Sequence, residues 1–226
     1  MIGQTCRRLL GIRSLVTVCA VGAVFLLPEG GAGLRAAEPA GPEEVPNGVF
    51  LVAKRDLADP YFRESVVLVT QHGGRSPVGV IINRPTPLLL RTVFPDNENL
   101  RNSEAAVFFG GPVSPQLLVY AFRGKESLAG ALTVLPDLHL SFDPAILAEL
   151  LGRANPTKDL RVYAGYSGWA PGQLQHELAR GDWYVVHADA DTIFSDQPET
   201  IWREMLKRAT ARQALLPLRR GAAAVN

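Results

Sequence analysis

From residue 48 onward, short apolar runs rich in β-branched residues alternate with polar breaks rich in glycine and proline. "GVFLVAK" (48–54), "SVVLVTQH" (65–72) and "PVGVIIN" (77–83) are too short and too branched for helices and predict buried strands. "GGRS" (73–76) is the hairpin turn between the last two. "DLADPYFRES" (56–65) predicts a loop turning at Asp59-Pro60. "TPLLLRTVF" (86–94) predicts a short helix, and "PDNENLRNSEA" (95–105) a polar loop. "AVFFGGPV" (106–113) predicts a strand ending in a glycine turn. "QLLVYAFRG" (116–124) and "ALTVLPDLHLSF" (131–142) add further strands.

The second half brings the helices. In "DPAILAELLGRA" (143–154), Asp143 is placed as N-cap and Pro144 at the first helical position. Ile146, Leu147, Leu150 and Leu151 make its apolar stripe. "LRVYAGYSG" (160–168) predicts a strand. "PGQLQHELARG" (171–181) predicts a helix with Pro171 at its start and Gly181 after its end. "DWYVVHA" (182–188) is another strand. "PETIWREMLKRAT" (198–210) is a last helix with Ile201, Trp202 and Met205 facing inward. Strand segments outnumber helices about two to one without a strict βαβ rhythm, which argues for an α+β domain on a mixed sheet.

The first 37 residues break this pattern. A basic start, "MIGQTCRRLLGIR", precedes an uncharged apolar run at 14–27 and then a stretch of small residues, glycine and proline. That order predicts an export signal, and a periplasmic or envelope-associated protein. The apolar run is short of the ~20 residues a membrane span needs, so no span is expected in the mature protein. Cleavage after Ala32 suits the small-residue rule better than cleavage after Ala37, which places Arg35 three residues before the cut. An uncleaved anchor is the alternative. So is a start near Val45, which would leave the protein cytoplasmic. Residues 38–47 read as a Pro/Glu linker, 48–210 as the domain, and 211–226 as a basic, alanine-rich flexible tail.

Removing the leader changes the charge. The chain carries 23 basic and 22 acidic residues, net +1. Arg7, Arg8, Arg13 and Arg35 lie in the leader against Glu29, leaving 19 and 21, net −2. Such a balance argues against direct nucleic-acid binding. Both cysteines, Cys6 and Cys19, also fall in the leader. The domain therefore has no disulfide, thiolate metal site or cysteine nucleophile.

Four motifs in order, "GVFLVAKRDLADPYFRESVVLVTQH", "GVIINRP", "FFGGPV" and "YAGYSGWAPGQLQHELARGDWYV", resemble the YqgE/AlgH family over about residues 48–210. Its members are small bacterial proteins mostly described as of unknown function. The resemblance implies a compact α+β fold, with a mixed, mostly antiparallel sheet curling into a small barrel flanked by helices. The AlgH name implies a link to transcriptional control. Family members are usually cytoplasmic, so the leader and the net charge of the mature chain set this sequence apart from a DNA-bound regulator.

Candidate chemistry centres on residues 164–183. "GYSGW" approaches the G-x-S-x-G elbow of hydrolases, with Trp169 where the last glycine belongs. Ser167 is then a candidate nucleophile, with His72 or His176 as partner. The competing reading is a sharp turn at Gly165 and Gly168, with Trp169 plugging the core. In "NRP", Arg84 suits an anion or carboxylate and Asn83 a structural turn. Gly110 and Gly111 either expose N–H groups to an anion or form a tight turn. The preferred expectation is a non-catalytic binding domain whose contact surface includes Asn83, Arg84, Gly110, Gly111, Tyr166, Ser167, Trp169 and Gln173. Its expected partner is a protein or a small anionic ligand. No metal is expected, since no histidine pair has ligand spacing, and no cofactor motif is present. His139 and His187 read as partly exposed strand residues, and Asp189, Asp191 and Asp196 as a solvated acidic loop.

Overall fold

The computed structural model describes residues 47–71 and 76–222, with side chains to residue 213. The leader, nearly all of the linker, His72, most of the "GGRS" turn and the end of the tail lie outside the described residues.

Every side chain of β1 (Val49–Ala53) and β2 (Val66–Thr70) is buried. Successive strand residues point to opposite faces, so an unbroken apolar run demands cover on both sides of the sheet. Phe50 and Val52 join one core while Val49, Leu51 and Ala53 join another. β3 (Val78–Ile81) pairs antiparallel with β2, as the hairpin reading expects. β5 (Ala106–Phe109), β6 (Val113–Arg123), β7 (Leu132–Leu135), β8 (Leu138–Ser141), β9 (Leu160–Gly168) and β10 (Trp183–His187) follow.

The strand order is β10-β1-β2-β3-β9-β6-β8-β7, with β5 joined to β9 at the side. All pairings are antiparallel except β5 with β9. The sheet curls far enough that Gly48, just before β1, lies against Val134 and Leu135 of β7. The architecture is thus an α+β half-barrel with flanking helices, as expected.

Three apolar cores follow from this curl. The innermost holds Phe50, Leu68, Val80, Val119 and Tyr163, closed by Ile201, Trp202, Met205 and Leu206 of α5 (Ile201–Ala222). Outside β1–β3, α3 (Gln173–Arg180) brings Leu174 against Trp169, Trp183 and Ile81. Outside β6 and β9, α2 (Pro144–Leu151) lays its predicted stripe on Tyr120, Phe122 and Val162. The Asp143 side chain accepts from Ala145 N–H, so the predicted cap forms.

Four local expectations need correction. Residues 86–94 are not one helix: Pro85–Leu89 form β4, and only one turn, α1 (Leu90–Val93), is helical. Pro85 and Pro87 supply the reason, since each removes a donor and pushes the residue before it out of the helical region. An exposed strand paired only with β5 tolerates them. Pro171 lies outside α3, whose N-cap is Gly172 at φ +79°. His139 is buried, with Nε2 bonded to Gly124 O at 2.9 Å and Nδ1 to Thr133 Oγ1 at 3.2 Å. Asp189 does not sit in an acidic loop: it caps the short α4 (Ala190–Ile193) by accepting from Thr192 N–H.

Candidate functional site

Near its end, β9 passes under the turn that follows β5, and glycine decides how close the two chains come. A Cβ on Gly110 would lie 2.3 Å from Gly165 O, and one on Gly165 would lie 2.5 Å from Gly111 O. Gly165 also sits at φ +70°, where side chains are strained. Gly110 and Gly111 are buried, so this turn is a backbone crossing. Ser167 is sealed beneath it at 0% exposure, donating its hydroxyl to Gly110 O at 3.2 Å. Tyr166, half-buried, packs edge-on to Phe142. His176 lies exposed on α3, and no hydrogen bond joins it to Ser167.

The rest of the motif is held by one carboxylate. Glu177 Oε2 accepts from Trp169 Nε1 at 2.9 Å and from Trp183 Nε1 at 3.0 Å. Its Oε1 accepts from Gln173 Nε2, and Gln173 Oε1 in turn accepts from Ala170 N–H. Both indoles are nearly buried, so a charged acceptor meets two donors that water cannot reach freely. Phe62, from the 56–65 loop, packs on both tryptophans, stacked on Trp169 and edge-on to Trp183. Asp59 accepts from the N–H groups of Tyr61 and Phe62 and shapes the turn predicted at Asp59-Pro60.

That loop links the tryptophan corner to Asn83 and Arg84. Asn83 continues the β2–β3 ladder with its side chain: Oδ1 accepts from Val66 N–H at 2.8 Å and Nδ2 donates to Glu64 O at 3.0 Å. This holds Glu64 in a left-handed conformation, φ +54°. The Arg84 guanidinium donates to Tyr61 O and Arg63 O. Its remaining surface lines a pocket of about 400 Å³ with Arg63, Glu64, Glu199, Trp202 and Arg203. Burial, and after it repulsion from Arg63, pulls the Arg84 pKa below its ordinary value. No ion pair within 4 Å engages Arg63, Arg84 or Arg203 among the described residues.

The sequence reading picked out Asn83 and Arg84 but missed Arg63, Glu199 and Arg203. Arg63 sits in an ordinary polar loop, and Arg203 is one of several charges on an amphipathic helix. Only the placement of α5 against β1 brings it to Arg84. The two groups of predicted site residues thus separate: Asn83 and Arg84 border an open pocket, while Gly110, Gly111, Ser167 and Trp169 are packed. Among the described residues no cluster of His, Cys, Asp or Glu has metal-binding geometry. No helix there is long and apolar enough to cross a membrane.

These features define a class: an α+β half-barrel whose glycine crossing and tryptophan corner are closely packed, with an arginine-lined pocket beside them. The chain belongs to the AlgH-like family (DUF179), whose model matches residues 50–214. A UPF0301 protein of Streptomyces avermitilis is 39% identical over 170 residues, covering 71% of this chain and 85% of that protein. One of Myxococcus xanthus is 35% identical over 176 residues, covering 76% and 95%. The solution structure of the AlgH protein from Pseudomonas aeruginosa matches with TM-score 0.58 and 25% identity, over 78% of this chain and 93% of that one. A crystal structure of a Corynebacterium diphtheriae protein shares the fold at TM-score 0.60 and 23% identity, covering 73% and 87%.

Proposed function

We propose that the chain is a non-catalytic binding domain that takes a small anionic ligand, a carboxylate or phosphate, in the pocket of Arg63, Arg84 and Arg203. The observation that carries this is the meeting of three guanidinium groups without an ion pair around one cavity. Planar guanidinium forks match carboxylate and phosphate oxygens in pairs. Glu64 and Glu199 line the same pocket, leaving one positive charge in excess, which favours a small anion over a polyanion. A partly buried Arg84 is less screened by salt than a surface cation.

Titration of the labelled protein with succinate and with phosphate, followed by amide chemical shifts, tests this. Shifts should concentrate on residues 60–64, 83–84 and 199–203, and Arg203→Glu should abolish them. Arg203 makes no hydrogen bond that the fold uses, so its loss leaves the protein folded. Absence of shifts with both anions, or shifts that survive Arg203→Glu, would overturn the proposal.

We propose further that this domain works in the cell envelope. The basic, apolar and small-residue order of the first 37 residues supports export. Fractionation of the source cells with intact-mass reading of the N-terminus checks it. A cleaved protein outside the cytoplasm is expected; a cytoplasmic protein would sink the envelope assignment while leaving the pocket reading intact.

A further inference from the structure

We infer that the groove between β6, α2 and the segment following α1 binds a neutral amphiphilic small molecule, an apolar chain or ring ending in a hydroxyl or amide. The groove shares no lining residue with the arginine pocket. The groove encloses about 670 Å³, the size of a small-molecule site. Val93, Phe94, Leu117, Leu118, Leu147 and Leu151 make its walls apolar. Among the described residues, Leu117 is one of the few large hydrophobic side chains left exposed.

Two buried polar atoms lie beneath this surface. Tyr120 is 1% exposed, and its hydroxyl has no hydrogen-bond partner. The Ser141 hydroxyl and the Leu147 backbone lie near it without hydrogen-bond geometry, and the Ser141 hydroxyl also accepts from Asp143 N–H. Asn97 shows the same deficit: Nδ2 donates to Leu151 O at 3.2 Å, while Oδ1 is buried and unpaired. Buried polar atoms are nearly always paired in folded proteins, so two orphans lining one apolar groove point to a partner that enters it. Tyr120 offers a donor and Asn97 an acceptor. A hydroxyl or amide head supplies the complements of both.

Charge narrows the class. Among the described residues, Asp96 is the only charged side chain on the wall, and no lysine or arginine is there to meet a carboxylate or phosphate. An anion would enter without a counter-charge and lose its hydration. The two concavities therefore select oppositely: anions at the arginine pocket, uncharged amphiphiles here.

The test uses the full chain and the neutral, polarity-sensitive dye Prodan, with 1-decanol and decanoate at pH 8 as competitors. Decanol should displace the dye, and decanoate should compete about tenfold more weakly or worse. Ala148→Trp and Leu117→Trp place a bulky ring into the groove from exposed positions, and each should abolish dye binding without changing the melting temperature. Tyr120→Phe should weaken decanol about fivefold, the loss of one hydrogen bond. Dye binding that survives both tryptophan variants, decanoate competing as well as decanol, or no dye binding at all would overturn the assignment.

Discussion

The glycine crossing and the apolar groove adjoin neighbouring stretches of β6, and they invert what the sequence suggests. The crossing is built from residue types associated with chemistry: a serine between glycines, tryptophans, a glutamate and a histidine nearby. In the fold, Ser167 is sealed under Gly110 O and Glu177 is engaged by two indoles. The groove is built from leucines, a phenylalanine, one tyrosine and one asparagine, a composition that draws no notice. Yet the groove, like the inner core at Tyr163, leaves buried polar atoms unpaired. A reactive residue type is informative only when its hydrogen-bonding capacity is unmet, and that depends on neighbours far away in the chain.

A crossing that tolerated side chains would be as open as the groove. Gly165→Ala places a methyl group 2.5 Å from Gly111 O at φ +70°. Backbone strain and forced separation of two chains should lower stability by about 3–5 kcal/mol. Urea unfolding measures it. A loss below about 1 kcal/mol would mean that the crossing is loose and that Ser167 is open to approach.

Next in size is the tryptophan corner. Glu177→Leu leaves the indole N–H groups of Trp169 and Trp183 without an acceptor, a cost of about 2–3 kcal/mol. Glu177→Gln keeps one carbonyl acceptor and should recover about half. If Glu177→Leu unfolds at the same urea concentration as the parent, the carboxylate is free for another role, and the contrast with the groove fails.

How much of this was legible follows the range of the forces involved. Asp143 and Pro144 announced α2 because capping acts over three residues. The doubly buried β1 and β2 were legible as unbroken apolar runs. β4 was misread because its leucines outweighed Pro85 and Pro87, although the prolines govern the backbone locally. His139 was misread because its partners, Gly124 and Thr133, are supplied by the β6–β8–β7 pairing. The site divides likewise. Arg84 could be singled out from "NRP", whereas Arg203, 119 positions further on, becomes its neighbour only through the docking of α5. Glu177 offered a local clue: it stands eight positions after Trp169 and six before Trp183, close enough for one helix to present it to both.

The smallest effect separates the two regions by titration. The chain has five tyrosines, and burial holds Tyr120 and Tyr163 above the ordinary value of 10.0. A raised folded pKa means that the native state keeps the proton where the unfolded chain releases it. The contribution is complete below about pH 10 and is lost as pH rises through the folded value, so stability should fall above about pH 10. Following tyrosinate absorbance of the native protein upward in pH should show Tyr120 and Tyr163 ionising later than in the unfolded chain. Tyr163 is walled in by Phe108 and the inner core, whereas Tyr120 borders an open groove. Decanol in the groove should therefore delay Tyr120 further and leave Tyr163 unchanged, an effect that Tyr120→Phe removes. Equal delay of both tyrosines, or none of either, would show that the groove does not reach the Tyr120 hydroxyl.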